Sequence, residues 1–129
     1  MERDPQQELF TALKQGIEAA GYTVYDGALP PDGTPYPFVY LGDFQQMDNE
    51  HKGGVTGTVF PTVHIWGNDP KWRGTISRIA LDVKTAFRRI GKTENFSWMV
   101  RNVNQRILAD TSTAVPLVHC VINADFLFS

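Results

Sequence analysis

The sequence predicts an α+β fold, a single domain in which a mostly antiparallel sheet of about five strands carries two helices on one face. Three observations predict it. Two segments repeat apolar residues at the three-and-four spacing of a helix, and each is closed by a glycine. Five other segments carry the β-branched and aromatic residues of strands. The 129 residues, 42% hydrophobic, suffice for one core and leave little for a second. The order is α-β-β-β-α-β-β within one domain, 1–129.

The first helix is read at residues 8–20. Leu9, Leu13, Ile17 and Ala20 share a face, Phe10 and Ala12 widen it, and Gly21 stops it. Asp4 and Pro5 supply a cap and a first helical residue. Residues 22–25, Tyr-Thr-Val-Tyr, read as a strand. Residues 26–35 hold three prolines, two glycines and two aspartates, so they form a turn-rich connection. Strand chemistry resumes at residues 36–41, with Pro37 near the start. Tyr36, Phe38 and Tyr40 fall on one side of that strand and are expected to pack beneath the first helix. The alternative is an exposed aromatic strip at a subunit contact.

Residues 44–57 are polar and rich in glycine at their end, and are expected to be mobile. They are either a long loop or the run-out of the flanking strands into a hairpin. Residues 58–66 form the next strand, with Val59, Val63 and Ile65 on one side and Phe60, His64 and Trp66 on the other. Bulk on both sides argues for a central strand, and Pro61 for an edge or a bulge. Asp69-Pro70 then repeats the helix-start signal, and Ile76, Ile79, Ala80, Val83 and Phe87 define the second helix up to Gly91. Residues 95–108 and 113–128 are two closing strands expected to pair as a hairpin around a turn at 109–112. The second alternates cleanly, with Val118, Cys120, Ile122, Ala124, Phe126 and Phe128 on one face. The first alternates poorly.

Composition narrows the function more by exclusion than by direction. Twelve basic against fourteen acidic residues argue against a protein devoted to nucleic acid. One cysteine excludes an internal disulfide framework and fits a reducing compartment. The polar first residues do not read as a secretory signal. The longest apolar stretch, 114–128, is broken by His119, Asn123 and Asp125 and is too short to cross a membrane, so no membrane partner is expected.

Candidate chemistry is sparse. His64 and His119 could meet on one face of the sheet, and with Asp125 could form a metal or acid–base site. The plainer reading is two half-exposed strand histidines. His119 cannot easily activate Cys120, because neighbours on a strand point to opposite faces. The glycines at 53, 54 and 57 lack the pattern of a phosphate loop. Lys71, Arg73, Arg78, Lys84, Arg88, Arg89 and Lys92, with Trp66 and Trp72 near the helix start, could hold single-stranded nucleic acid. In an acidic chain the same residues read more simply as a solvated helix face. No catalytic residue, cofactor or metal ligand is assigned.

The order of motifs resembles a known family. A helix ends at Ala20-Gly21 and is followed by Val24-Tyr25-Asp26, a proline-rich turn, and the run from Pro35 through Tyr36-Pro37-Phe38-Val39-Tyr40-Leu41-Gly42 to Asp43. A polar segment leads to Val63-His64-Ile65-Trp66 and then to the second helix. Over residues 9–87 this is similar to the small tail-completion proteins of long-tailed bacteriophages and prophages. These tail-to-head joining proteins are also grouped with minor capsid and tail-terminator proteins. The resemblance implies a structural virion protein at the head-proximal end of the tail, present in the host cytoplasm during assembly. It implies partners in the tail tube protein and the head-tail connector proteins. It also implies a homo-oligomeric ring of about six copies, compatible with a monomer when free. DNA would pass through the lumen without being bound. The family carries no catalytic residues. The contact residues expected are Gln45, Gln46, Asp48, Asn49, Glu50, His51 and Lys52 in the polar segment, and Arg78, Lys84 and Arg88 on the second helix. A head-completion or connector adaptor is the neighbouring alternative.

Overall fold

A computed structural model of the chain describes residues 3–27, 30–112 and 114–129. It contains α1 (Pro5–Ala19), β1 (Val24–Asp26), β2 (Phe38–His51), β3 (Gly54–Gly67), α2 (Arg73–Arg89), β4 (Trp98–Asp110) and β5 (Leu117–Phe128), with a 3-10 turn at Pro70–Trp72 before α2. The α-β-β-β-α-β-β order is the one expected. The sheet order is β1-β2-β3-β5-β4. Only the three-residue β1 runs parallel to its neighbour; the other pairings are antiparallel.

The first helix starts where its cap predicts, whereas the Asp69-Pro70 signal starts the 3-10 turn and α2 follows from Arg73 without a side-chain cap. The Asp4 carboxylate accepts from the Gln7 N–H at 3.1 Å, and Pro5 sits where a missing donor costs nothing. Gly21 follows α1 with φ 102°, a left-handed conformation that favours glycine. Asp69 accepts from the Lys71 N–H at 2.9 Å at the start of the second helical segment. Leu9, Leu13 and Ile17 of α1 and Ile76, Ala80, Val83 and Phe87 of α2 are fully buried against one face of the sheet. That face supplies Val39, Leu41, Val59, Val63, Ile65, Cys120, Ile122 and Phe126, and no polar residue is buried among the described residues.

A carboxylate ties the first helix to the connection between α2 and β4. Glu8 accepts from Thr93 Oγ1 (2.7 Å), the Asn95 N–H (3.0 Å) and Asn95 Nδ2 (2.8 Å). Thr93 Oγ1 in turn accepts from Trp98 Nε1 at 2.8 Å. Burial opposes the Glu8 charge, but the hydrogen bonds from Asn95 and Thr93 outweigh it and hold its carboxyl below the usual range.

Three expectations are refined or corrected. Residues 44–57 are not a loop. They are paired strand, from Phe44 opposite Pro61 to His51 opposite Gly54, around a tight turn at Lys52 and Gly53. The polar composition was misleading because both faces of this ribbon meet water. Pro61 does lie in a central strand. It sits where β2 slips register between Leu41 and Phe44, so the missing donor falls beside a bulge. The expected turn at 109–112 is displaced along the chain, because β4 continues to Asp110 and β5 starts only at Leu117. Parts of two segments read from the sequence, residues 28–29 of the turn-rich connection and residue 113, lie outside the described residues.

Candidate functional site

The expected contact residues fall into two separate groups. Gln45, Gln46, Asp48, Asn49, Glu50, His51 and Lys52 lie on the upper half of the β2–β3 hairpin. The last β3 residue to pair with β5 on this side is Gly57, which faces Phe128. Residues 48–51 pair only with residues 54–57, so the ribbon overhangs the sheet by about 10 Å at the usual strand rise. Gln46 Nε2 donates to Asp48 Oδ1 at 2.7 Å, and the remaining polar groups of the tip face solvent. Met47 and Val55 are exposed there at 57% and 49%. Gly57 is where the ribbon crosses the root of the sheet. A Cβ there would run into the Met47 carbonyl and the Phe128 ring, so only glycine fits.

Arg78, Lys84 and Arg88 lie on α2, in the helix layer. Arg78 pairs with Asp82 at 3.8 Å, and Asp82 also accepts from the Tyr22 hydroxyl at 2.6 Å. Burial, together with that acceptor, pushes the Tyr22 hydroxyl up to about 12. Lys84 and Arg88 have no ion pair among the described residues. No hydrogen bond or ion pair joins the α2 residues to the hairpin residues, so the structure does not assemble them into one site.

The sheet face opposite the helices holds a third feature. Val39 and Leu41 lie beneath the helices, so Phe38 and Tyr40 point the other way. The expectation that the aromatic side of this strand packs under α1 is therefore corrected; the strip lies on the uncovered face. It borders a cavity of about 700 Å³ with Tyr36, His64 and Trp66 and the segment 30–35. Tyr40 donates to the Gly27 carbonyl at 2.8 Å.

His64 and His119 do meet on this face. His64 Nδ1 and His119 Nε2 are 2.7 Å apart, one donating to the other. Trp66 stacks on His119 with ring centres 3.7 Å apart. Burial lowers the basicity of both rings. His64 falls below its ordinary value against the pull of Asp43. His119 falls to about 4, from burial and then from the neighbouring His64, with Asp110 opposing. Both are therefore neutral near pH 7, and in such a pair one ring donates to the other. Asp125 is not brought to them; it accepts from Asn102 Nδ2 at 2.7 Å, nearer the β2–β3 hairpin along the pairing of β4 and β5. Among the described residues no three His, Cys, Asp or Glu side chains cluster as a metal site. Cys120 faces the core, opposite His119, and burial pushes its thiol up to about 11, which leaves it a poor nucleophile.

Sequence reasoning placed the outer strand β4, at residues 95–108, but missed its bulge. Its register slips between Arg101 and Asn104, and Asn102 takes a left-handed φ of 56°. That bulge resets the alternation, so Met99, Arg101, Arg106 and Leu108, all exposed, were not legible as one edge. The signal present was the pair of arginines in an otherwise acid-free run to Ala109.

The molecule is thus an α+β sandwich: two helices on one face of a mixed five-stranded sheet, an uncovered aromatic face, and an overhanging hairpin. Solved structures share this fold. A chain from the "virion of native gene transfer agent (GTA) particle" superposes with a TM-score of 0.64 at 17% identity, over 97% of this chain and 95% of that one. The bacteriophage SPP1 gp17 protein superposes with a TM-score of 0.59 at 22% identity, over 94% of this chain and 88% of that one. At these identities the likeness is one of fold. No family model matches the chain, and no curated protein matches it in sequence. Among the described residues no helix is long and apolar enough to cross a membrane.

Proposed function

We propose that this chain is a structural virion protein that completes a phage tail at its head-proximal end. There it ends tube polymerisation and joins tail to head as a ring. The observation that carries this reading is a fold shared, nearly end to end, with a gene transfer agent virion chain and a phage SPP1 protein. The family resemblance in residues 9–87 points the same way. In this reading the overhanging hairpin, with Gln45, Gln46, Asp48, Asn49, Glu50, His51 and Lys52, contacts a partner. Arg78, Lys84 and Arg88 steer docking against an acidic neighbour. The partners are the tail tube protein and the head-tail connector proteins, and no catalytic step is involved.

Electron microscopy of lysates with and without the gene tests it. Filled heads beside unattached tails of abnormal length are expected in its absence. Unattached tails of normal length would move the protein to a head-completion or connector role. Normal infectious particles would discard the reading. Deleting residues 47–54 should leave a folded chain, since that stretch makes few contacts with the body, but should stop assembly.

A further inference from the structure

The sheet has two free edges, and they differ in charge. On one side β1 covers only Val39, Tyr40 and Leu41 of β2. Above Leu41 the outer edge of β2 has no strand partner among the described residues. On the other side β4 pairs with β5 alone. An open ladder of this length is a template for another strand, and proteins that avoid such pairing blunt it with Lys or other charges, Pro or a bulge. From Phe38 to His51, β2 has no Lys, Arg or Pro; it carries Asp43, Asp48 and Glu50. Strand β4 carries Arg101 and Arg106, with an acid only at its last residue, Asp110.

We infer that copies of this chain join edge to edge, the free part of β2 in one copy pairing with β4 of the next, so that the sheet runs on from copy to copy. The inference rests on the ring reading above and names its contact.

Strand direction allows it. Going from β2 through β3 and β5 to β4 takes three antiparallel steps, so β2 and β4 run in opposite directions. A rotation about an axis along the strands keeps those directions in every copy. The new pair is then antiparallel, like the three within each copy. Such a contact is heterologous, and a heterologous chain of copies closes into a ring when the rotation from copy to copy divides a full turn.

The heights also agree. Met47 pairs with Thr58, Thr58 with Leu127 and Leu127 with Met99, so Met47 and Met99 stand level at opposite edges. They are exposed at 57% and 64%. Asp43 lies in the β2 bulge beside Thr62, whose β5 partner Asn123 pairs with Asn104, between Arg101 and Arg106. With no offset between copies, Met47 meets Met99 and Asp43 meets the two arginines. The bulge of β4 lies at nearly the height of the bulge of β2, so the two edges bend together. Both free edges carry an exposed apolar side chain, and the partner that fits an acidic edge is the basic edge of a second copy.

Cysteine cross-linking tests this. The gene-deleted lysate is complemented with the full chain bearing Met47→Cys and Met99→Cys; native Cys120 is buried and stays in place. After mild oxidation the expected result is a ladder of disulfide-linked multimers in the particles, with neither single variant going beyond a dimer. A chain that stays monomeric in particles that form, or that cross-links only to a different virion protein, overturns the inference. Asp43→Lys should cut particle yield about tenfold or more, and Arg101→Glu with Arg106→Glu should restore it. Wild-type yield for Asp43→Lys overturns the charge pairing. Circular dichroism of each variant shows that the fold is intact. If the deletion lysate gives normal particles, tail completion fails. The cysteine pair is then read on the purified chain at high concentration, where a ladder or its absence still decides the edge contact.

Discussion

Beneath the helices the sheet presents Val39, Leu41, Val59, Val63, Ile65, Ile122 and Phe126, all within 1% of full burial. On the opposite face the same strands present Phe38, Tyr40, Thr62, His64, Trp66 and His119, all half-buried. The first face excludes every polar side chain; the second stacks an indole on an imidazole and pairs two histidines. The contrast teaches how alternation divides labour. One residue in two joins the core and fixes the fold. Its neighbours, lacking a second layer of helices, cover each other with rings and leave polar atoms where water can reach them.

The sharpest way to break this division is to hollow the covered face. Phe126 packs edge-on against Phe87 with ring centres 5.2 Å apart and is fully buried. Phe126→Ala should cost about 3–5 kcal/mol, read from urea unfolding. A loss below 1 kcal/mol would mean that this face is not the seat of stability.

Next is Gly57→Ala, which adds a methyl group against the Met47 carbonyl and the Phe128 ring, 2.8 Å away. About 1–3 kcal/mol should be lost, and the hairpin arm should shift relative to the sheet. An unchanged melting temperature would show that the arm is not braced at its root.

The uncovered face should announce itself through pH. His119 titrates at about 4 when folded and near its ordinary 6.5 when unfolded. Between those values the unfolded chain binds more protons, so stability falls as pH drops from about 6.5 to about 4 and changes no further from this source below that. His119→Gln should flatten that part of a melting-temperature profile. Glu8 acts in a separate window, since its lowered carboxyl loses its stabilising bonds only as pH falls below about 4.5. The smallest effect belongs to the exposed arm. Met47→Ser should change stability by less than about 0.5 kcal/mol while altering assembly. A larger loss would place Met47 in the core economy after all.

The sequence disclosed what burial had patterned. The stripe from Val118 to Phe128 and the spacing from Ile76 to Phe87 each face the core on one side and water on the other, so their period is visible. Strand β4 was legible as a strand but its two faces were not, because the bulge at Asn102 reverses which residues face inward halfway along. The hairpin tip hid because a ribbon wet on both faces has no hydrophobic period at all. The histidine pair was legible as two residues on the same strand face, but its partner Trp66 and the loss of Asp125 depended on register between strands far apart in the chain. The charge contrast between the two edges required the strand order, which no single segment encodes.

The overhang of the hairpin has a consequence for how the chain breathes. A two-stranded ribbon by itself is barely stable in water, whereas β3 below Gly57 is held from both sides by β2 and β5. Backbone amides of residues 48–56 should therefore exchange their hydrogens through brief local openings, long before those of Val63 or Ile122, which wait for the whole molecule to unfold. The arm thus has its own clock, and strand pairing at its outer edge would be the event that slows it.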